Sequence, residues 1–174
     1  MIAETTTLPG VLLIKRDIFE DHRGFYTQLY QQESYEEIFQ EHIGSNIMFL
    51  EDDIAVSSKH VLRGFHGDNR TWKLVTCLSG KFYIVIATCK PGNDFGKWQS
   101  FILSESNGHQ LLVPPLRGNA YLVMSDSAIF HYKQSCIYKG AVEQFTYRYD
   151  DPRFNVWWPV KEPILSLRDD HVPQ

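Results

Sequence analysis

From Val61 onward the chain breaks into short runs rich in β-branched and aromatic residues, each closed by glycine, proline, serine or asparagine. Runs of that length and punctuation suit an antiparallel sandwich or barrel and leave little room for helix. The clearest pair is Leu74–Leu78 and Lys81–Ala87, joined at Ser79-Gly80, a two-residue turn signal that predicts a β-hairpin. Further strands are predicted near Gln99–Leu103, Gln110–Val113, Tyr121–Met124 and Ile129–Gln134, with Pro91-Gly92-Asn93-Asp94 and Pro114-Pro115 as punctuation.

One helix is legible ahead of this region. Ser34 and Glu37 have capping-box spacing, Tyr35, Ile38, Phe39 and His42 recur at helical spacing, and Gly44 stands where a C-terminal glycine belongs, predicting a helix over Tyr35–His42. The expected fold is mainly β: a cupin-like jelly-roll β-sandwich or barrel with one or two short helices. At 174 residues the chain is expected to form a single domain over 1–174, since domains average about 150 residues.

Composition narrows the function classes. With 43% hydrophobic and 22% charged residues the chain is globular rather than disordered, and its net charge of −4 argues against a nucleic-acid binder. No apolar run approaches the roughly 18 residues of a membrane span, and no basic stretch precedes Val11–Ile14, so neither span nor secretory signal is expected. Three cysteines without a CxxC pair suggest a reducing, cytoplasmic setting, with Cys77 and Cys89 as small buried hydrophobes.

The densest chemistry lies in Arg63–Lys73. Strand alternation predicts that Arg63 and Phe65 face one way and Gly64 and His66 the other. His66 would suit a base near neutral pH and Lys73 a cation for a developing oxyanion, although on these residues alone a histidine beside an arginine on a β-rich surface is more often structural. Likewise His131 and Tyr132 must point to opposite faces; the plain reading puts His131 outside and Tyr132 in the core. His66-Gly67-Asp68 lacks the three or four ligands of a tight zinc or iron site, so no metal is expected. The stretch Trp157–Asp169 has bulky anchors and a charged end, and would either dock on the barrel, bringing Asp169 beside a histidine, or remain a surface tail.

Taken in order, Asp21-His22-Arg23-Gly24-Phe25, Val61–His66 with Lys73-Leu74-Val75, Phe95-Gly96-Lys97-Trp98, Tyr132-Lys133, Asp151-Pro152, Trp158-Pro159 and Leu165–Asp169 resemble the dTDP-4-dehydrorhamnose 3,5-epimerase family. These are metal-free cupins that epimerise nucleotide-linked 4-keto sugars without a cofactor. The resemblance implies His66 as general base, Asp169 as its orienting carboxylate, Tyr132 as the acid on the opposite side of the sugar and Lys73 near O4. It implies phosphate contacts from Arg23 and Arg63, and further substrate contacts from Gln28, Glu51, Asp53, Asn119, Glu143 and Arg168. It also implies a homodimer whose N-terminal strands cross to the partner, with no nucleic acid or membrane involved.

Three stretches depart from the family pattern. Glu51-Asp52-Asp53 stands for Gln-Asp-Asn, Gln28 for a glutamate, and Leu116–Tyr121 for Gly-Phe-Ala-His-Gly-Phe, so Asn119 replaces a titratable histidine. These changes leave open whether C3, C5 or both are inverted. Motifs such as His66-Gly67-Asp68, Pro114-Pro115, Gly118-Asn119 and Glu143–Tyr147 resemble the branch acting on GDP-linked 4-keto-heptoses. A 3,4-ketoisomerase and a non-catalytic nucleotide-sugar-binding module remain as alternatives.

Overall fold

The computed structural model describes residues 1–171. One antiparallel sheet is built from β1 (Ile2–Thr5), β2 (Leu12–Lys15), β5 (Glu51–Ser58), β7 (Lys73–Ser79), β10 (His109–Val113) and β12 (Ser127–Gln134), in the order β1-β2-β10-β7-β12-β5. The other holds β6 (Leu62–Gly67), β8 (Lys81–Thr88), β9 (Trp98–Ser104), β11 (Arg117–Val123) and β13 (Phe145–Thr146), in the order β13-β6-β11-β8-β9. A separate ribbon pairs β3 (Phe19–Asp21) with β4 (Gly24–Tyr26); the helices are α1 (Gln32–Ile43) and the four-residue α2 (Leu167–Asp170). The chain is thus the expected β-sandwich with two short helices.

The texture of the strands follows from where their two faces go. Along β8, Phe82, Ile84 and Ile86 point between the sheets, against Val75, Leu111, Val113 and Phe130. The alternate residues Tyr83, Val85 and Ala87 point outward but are also buried, under Phe65, Phe154 and Trp158. On the far side, Leu74 and Leu112 are covered by Tyr35 and Phe39 of α1. Central strands covered on both faces read as continuous apolar runs rather than alternating ones.

That double burial also explains why the predicted hairpin does not form. β7 and β8 follow each other through Ser79-Gly80 but lie in different sheets: β7 pairs with β10 and β12, β8 with β9 and β11. The turn carries the chain from one layer to the other. Gly80 has φ +75°, and a Cβ there would sit 2.1 Å from the Ser127 carbonyl oxygen.

The helix runs earlier than predicted. Its N-cap is Gln31, whose side-chain oxygen accepts the Ser34 N–H at 2.8 Å, so Ser34 lies inside the first turn instead of capping it. At the other end Gly44 is left-handed (φ +76°) and bonds back to the carbonyls of Phe39 and Gln40, as expected. Cys77 and Cys89 are buried, and burial pushes both thiols up to about 12. Among the described residues no helix is long and apolar enough to cross a membrane.

Gly80→Ala is expected to cost more than about 2 kcal/mol, because the left-handed backbone and the carbonyl contact both penalise a side chain. Urea unfolding should show a lower midpoint at unchanged slope; an unchanged midpoint would contradict this account of the crossing.

Candidate active site

A bulge sets the site. β6 and β11 pair at His66 with Asn119 and at Arg63 with Tyr121, so Gly64 and Phe65 together oppose the single residue Ala120. The extra residue cancels simple alternation: Arg63 and His66 both line one cavity, while Phe65 turns outward into the core under Phe154. This corrects the parity expected from strand periodicity. Gly64 permits the approach, since a Cβ there would lie 2.4 Å from the Asn119 carbonyl oxygen.

The cavity, about 270 Å³, opens between the two sheets. It falls just below the roughly 300–1,000 Å³ of small-molecule pockets, so a ligand larger than a sugar would extend past the mouth. His66, Asn119 and Arg63 enter from the five-stranded sheet, Lys73 and Tyr132 from the six-stranded one, and Arg168 and Asp169 from α2. His66 and Tyr132 therefore meet the same space from opposite layers. His131 points away on the outer face and bonds Asp52 at 2.8 Å.

His66 Nε2 lies 2.6 Å from Asp169 Oδ1, and Asp169 is only 2% exposed. Ser166 caps α2: its hydroxyl accepts the Asp169 N–H at 3.2 Å and donates to Asp169 Oδ2 at 3.0 Å. Burial by itself would raise the Asp169 carboxyl. The hydrogen bonds from His66 and Ser166 and the charges of His66 and Arg168 outweigh it, and hold the group below the usual carboxylate range. An ionised acid on one ring nitrogen steadies an imidazolium formed at the other.

Lys73 Nζ donates to Asn119 Oδ1 at 3.1 Å. Burial pulls its ammonium down to about 8; Asp68 opposes that shift and Arg168 adds to it. The Tyr132 phenol moves the other way, up to about 12, through burial and then the negative charges of Asp53 and Glu51 with the neighbouring Tyr138 and Tyr121. The site thus offers a carboxylate-backed imidazole, an ammonium poised near neutrality and a phenol that keeps its proton.

Arg168 is held by Thr146 Oγ1 (2.7 Å from Nη2) and Gln144 Oε1 (3.2 Å), and Arg63 by Ser57 Oγ (3.1 Å). The remaining expected residues lie outside the cavity lining. Glu51 and Asp53 accept from Gln134 Nε2 at 3.2 and 2.9 Å behind Tyr132, and Glu51 also accepts the Tyr138 N–H. Glu143 pairs with Arg70, while the next residue, Gln144, reaches the cavity. Arg23 is exposed on the β3-β4 ribbon, paired with Asp21, and Gln28 is exposed beyond it. Among the described residues no three His, Cys, Asp or Glu side chains converge to hold a metal ion.

Comparison with known proteins gives the family. The family model described as dTDP-4-dehydrorhamnose 3,5-epimerase matches residues 5–174. The chain belongs to this family. An epimerase of that name from Salmonella typhimurium is 33% identical across 99% of this chain and 94% of its own length. A Legionella pneumophila 3,5-epimerase solved with dTDP-4-keto-L-rhamnose is 30% identical, with TM-score 0.88 over 97% of this chain and 89% of that one. A 3'-monoepimerase from Streptomyces bikiniensis, solved with dTDP-quinovose, is 25% identical with TM-score 0.87 over 97% of this chain and 85% of that one.

Six lining residues of this epimerase were given no role from the sequence: Ala55, Tyr121, Phe130, Tyr138, Gln144 and Ser166. Ser166 had a usable signal, since Ser-x-x-Asp at 166–169 is a cap spacing. Tyr138 and Tyr121 had none, because their place depends on a loop path and on the bulge.

Lys73 is expected to lower stability for the sake of the site. Its proton leaves the folded chain near pH 8 but the unfolded chain near 10.5, so the unfolded state binds more protons in that window and wild-type stability rises across it. Lys73→Met should therefore gain up to about 3 kcal/mol at pH 7, with the advantage shrinking between pH 8 and 10.5, measured by urea unfolding.

Proposed function

We propose that the chain is a cofactor-independent epimerase that inverts C3, C5 or both in a nucleotide-linked 4-keto sugar, in deoxysugar or surface-polysaccharide biosynthesis. The supporting observation is that His66, backed by Asp169, and Tyr132 line one cavity from opposite sheets. A C–H beside a ketone is acidic only because its anion is an enolate, so the chemistry needs a base at carbon and a cation at O4. In this reading His66 takes the proton, Asp169 stabilises the imidazolium, and the Lys73 ammonium holds the enolate oxygen. The Tyr132 phenol then gives its proton to the opposite face of the carbon, which inverts it. Imidazolium and phenolate exchange protons with solvent before the next turnover.

Asn119, bonded to Lys73, would keep the ammonium aimed at O4 without titrating itself. Arg63 and Arg168 would hold the diphosphate at the mouth, with Glu143, Glu51 and Asp53 shaping the rim near Tyr138. The similar structures bind dTDP-sugars, and the sequence motifs resemble a GDP-heptose branch, so both nucleotides belong in the assay. The setting is read as the cytoplasm, where the three free cysteines stay reduced.

We also propose a homodimer in which the β3-β4 ribbon reaches the partner's cavity. Among the described residues the ribbon pairs only with itself; it carries Arg23 and exposes Phe19, Phe25 and Tyr26, aromatic surface of the kind that interfaces bury. In this assembly Arg23 and Gln28 would complete the partner's site, so turnover per chain should fall on dilution through the dimer dissociation range. Constant specific activity through a verified dissociation would sink the arrangement.

In deuterium oxide, dTDP- or GDP-linked 4-keto sugars should take up deuterium at C3 or C5. His66→Asn should lower exchange at least about 100-fold, while Tyr132→Phe should keep exchange but lose inversion. Turnover should decline above about pH 8 as Lys73 loses its proton. NMR of the product decides the outcome: a carbonyl moved from C4 would mean ketoisomerase, and no exchange with either nucleotide would remove the epimerase reading.

A further inference from the structure

The root of the β3-β4 ribbon holds a buried charge that the proton chemistry does not use. Arg16, the residue after β2, is 8% exposed, and among the described residues its side chain bonds only neutral oxygens. Burial pulls its guanidinium below the ordinary value, with Tyr35 opposing, but an arginine stays charged at neutral pH. A buried cation without a counter-ion lowers stability, and an apolar side chain would root a strand at less cost.

What the guanidinium grips explains the charge. Its Nε donates to the Gly108 carbonyl at 3.0 Å, just ahead of β10, and its Nη1 donates to Thr27 Oγ1 at 2.9 Å and to the Gln28 carbonyl at 3.4 Å. The Thr27 hydroxyl in turn donates to the Asp17 carbonyl at 2.8 Å. One planar fork therefore ties the returning limb of the ribbon to the six-stranded sheet, and Thr27 ties that limb to the outgoing one. The next carbonyl, Leu29, accepts from the buried Gln110 Nε2 at 3.0 Å. Beyond this root, among the described residues, β3 and β4 pair only with each other, and all six of their residues are exposed. So short a two-stranded ribbon is marginal in water, so its direction is set where it is anchored. At about 3.3 Å per residue Arg23, at the turn, lies about 20 Å from that anchor, so a tilt of about 3° displaces it by about 1 Å.

We infer that Arg16 is a positioning residue for the epimerisation: by clamping both limbs of the ribbon to the sheet it aims Arg23 and Gln28 at the partner's cavity. The inference rests on the epimerase reading and on the ribbon exchange proposed with it, and deepens both by naming the group that sets the reach of the ribbon. Arg16 touches no substrate. Its effect passes through the Gln28 carbonyl, which it holds directly, and through the angle at which Arg23 is presented.

Arg16→Met tests it, because the apolar length stays and the donors leave. KM and kcat for dTDP- and GDP-linked 4-keto sugars are measured for this variant, for Arg23→Ala and for the double variant, at a protein concentration where the dimer is verified. Arg16→Met should raise KM about three- to tenfold with a smaller change in kcat, since the misplaced groups bind substrate and leave the reacting carbon untouched. The double variant should fall well short of the product of the two single effects, because both act through one ribbon. If Arg16→Met does not fold, Arg16→Lys is read in its place: its ammonium keeps the charge but does not span Gly108, Thr27 and Gln28, so the same pattern is expected. An unchanged KM, or effects that multiply, overturns the inference alone whatever happens to the melting temperature, since Arg16 would then serve the fold only. Arg23→Ala without effect in an active parent removes the ribbon exchange and the inference together. A parent chain that exchanges no deuterium with either substrate removes the epimerase reading and everything built on it.

Discussion

The outer edge of β6 is the constraint on which the rest depends. A strand there presents backbone groups that must be bonded, and leaving them bare would be costly. Two later stretches meet that demand. β13 pairs with Gly67 and His66, Phe65 exchanges both its backbone bonds with Tyr147, and Ile164 bonds to Leu62 and His60. Once residues 145–147 and 164 are laid along β6, the chain has nowhere to go but past the cavity mouth. There Ser166 starts α2, and Asp169 reaches the imidazole of a residue 103 positions earlier.

Burial acts on every ionisable group in the cavity, with different results because the partners differ. Asp169 has donors on both oxygens and stays an anion despite its burial. Lys73 has one amide acceptor and a repelling arginine, so desolvation wins and its proton is held more weakly. Tyr132 stands before two carboxylates and keeps its proton more firmly. One dry space thereby sorts a carboxylate, a weakened cation and a neutral acid into separate chemical roles. Such sorting costs stability, as functional sites commonly do.

Several features of this architecture were legible beforehand because they are local. The C-terminal glycine of α1 was readable, since only a left-handed residue ends the helix that way. Its start was not, because Gln31 performs the capping that Ser34 had the better chemistry for. The strands at 74–78 and 81–87 were visible from their apolar residues, but not their separation into two sheets. A run buried on both faces carries no mark of which neighbour it will take. His66 and Lys73 stood out as chemistry; Asp169 as the partner of His66 came from family resemblance, and Tyr121 and Tyr138 from neither.

By itself, then, the order of residues determined that this chain would be a β-rich sandwich with one real helix, and which side chains could carry proton chemistry. Those properties follow from backbone preference and side-chain type, which act within a few residues. Only the folded chain decided that β7 and β8 part company, that a bulge turns Arg63 and His66 to the same side, and that α2 seats its acid on a distant ring. Each of these depends on contacts between segments far apart in the chain, where the competing partners are set by the whole packing and not by any local pattern.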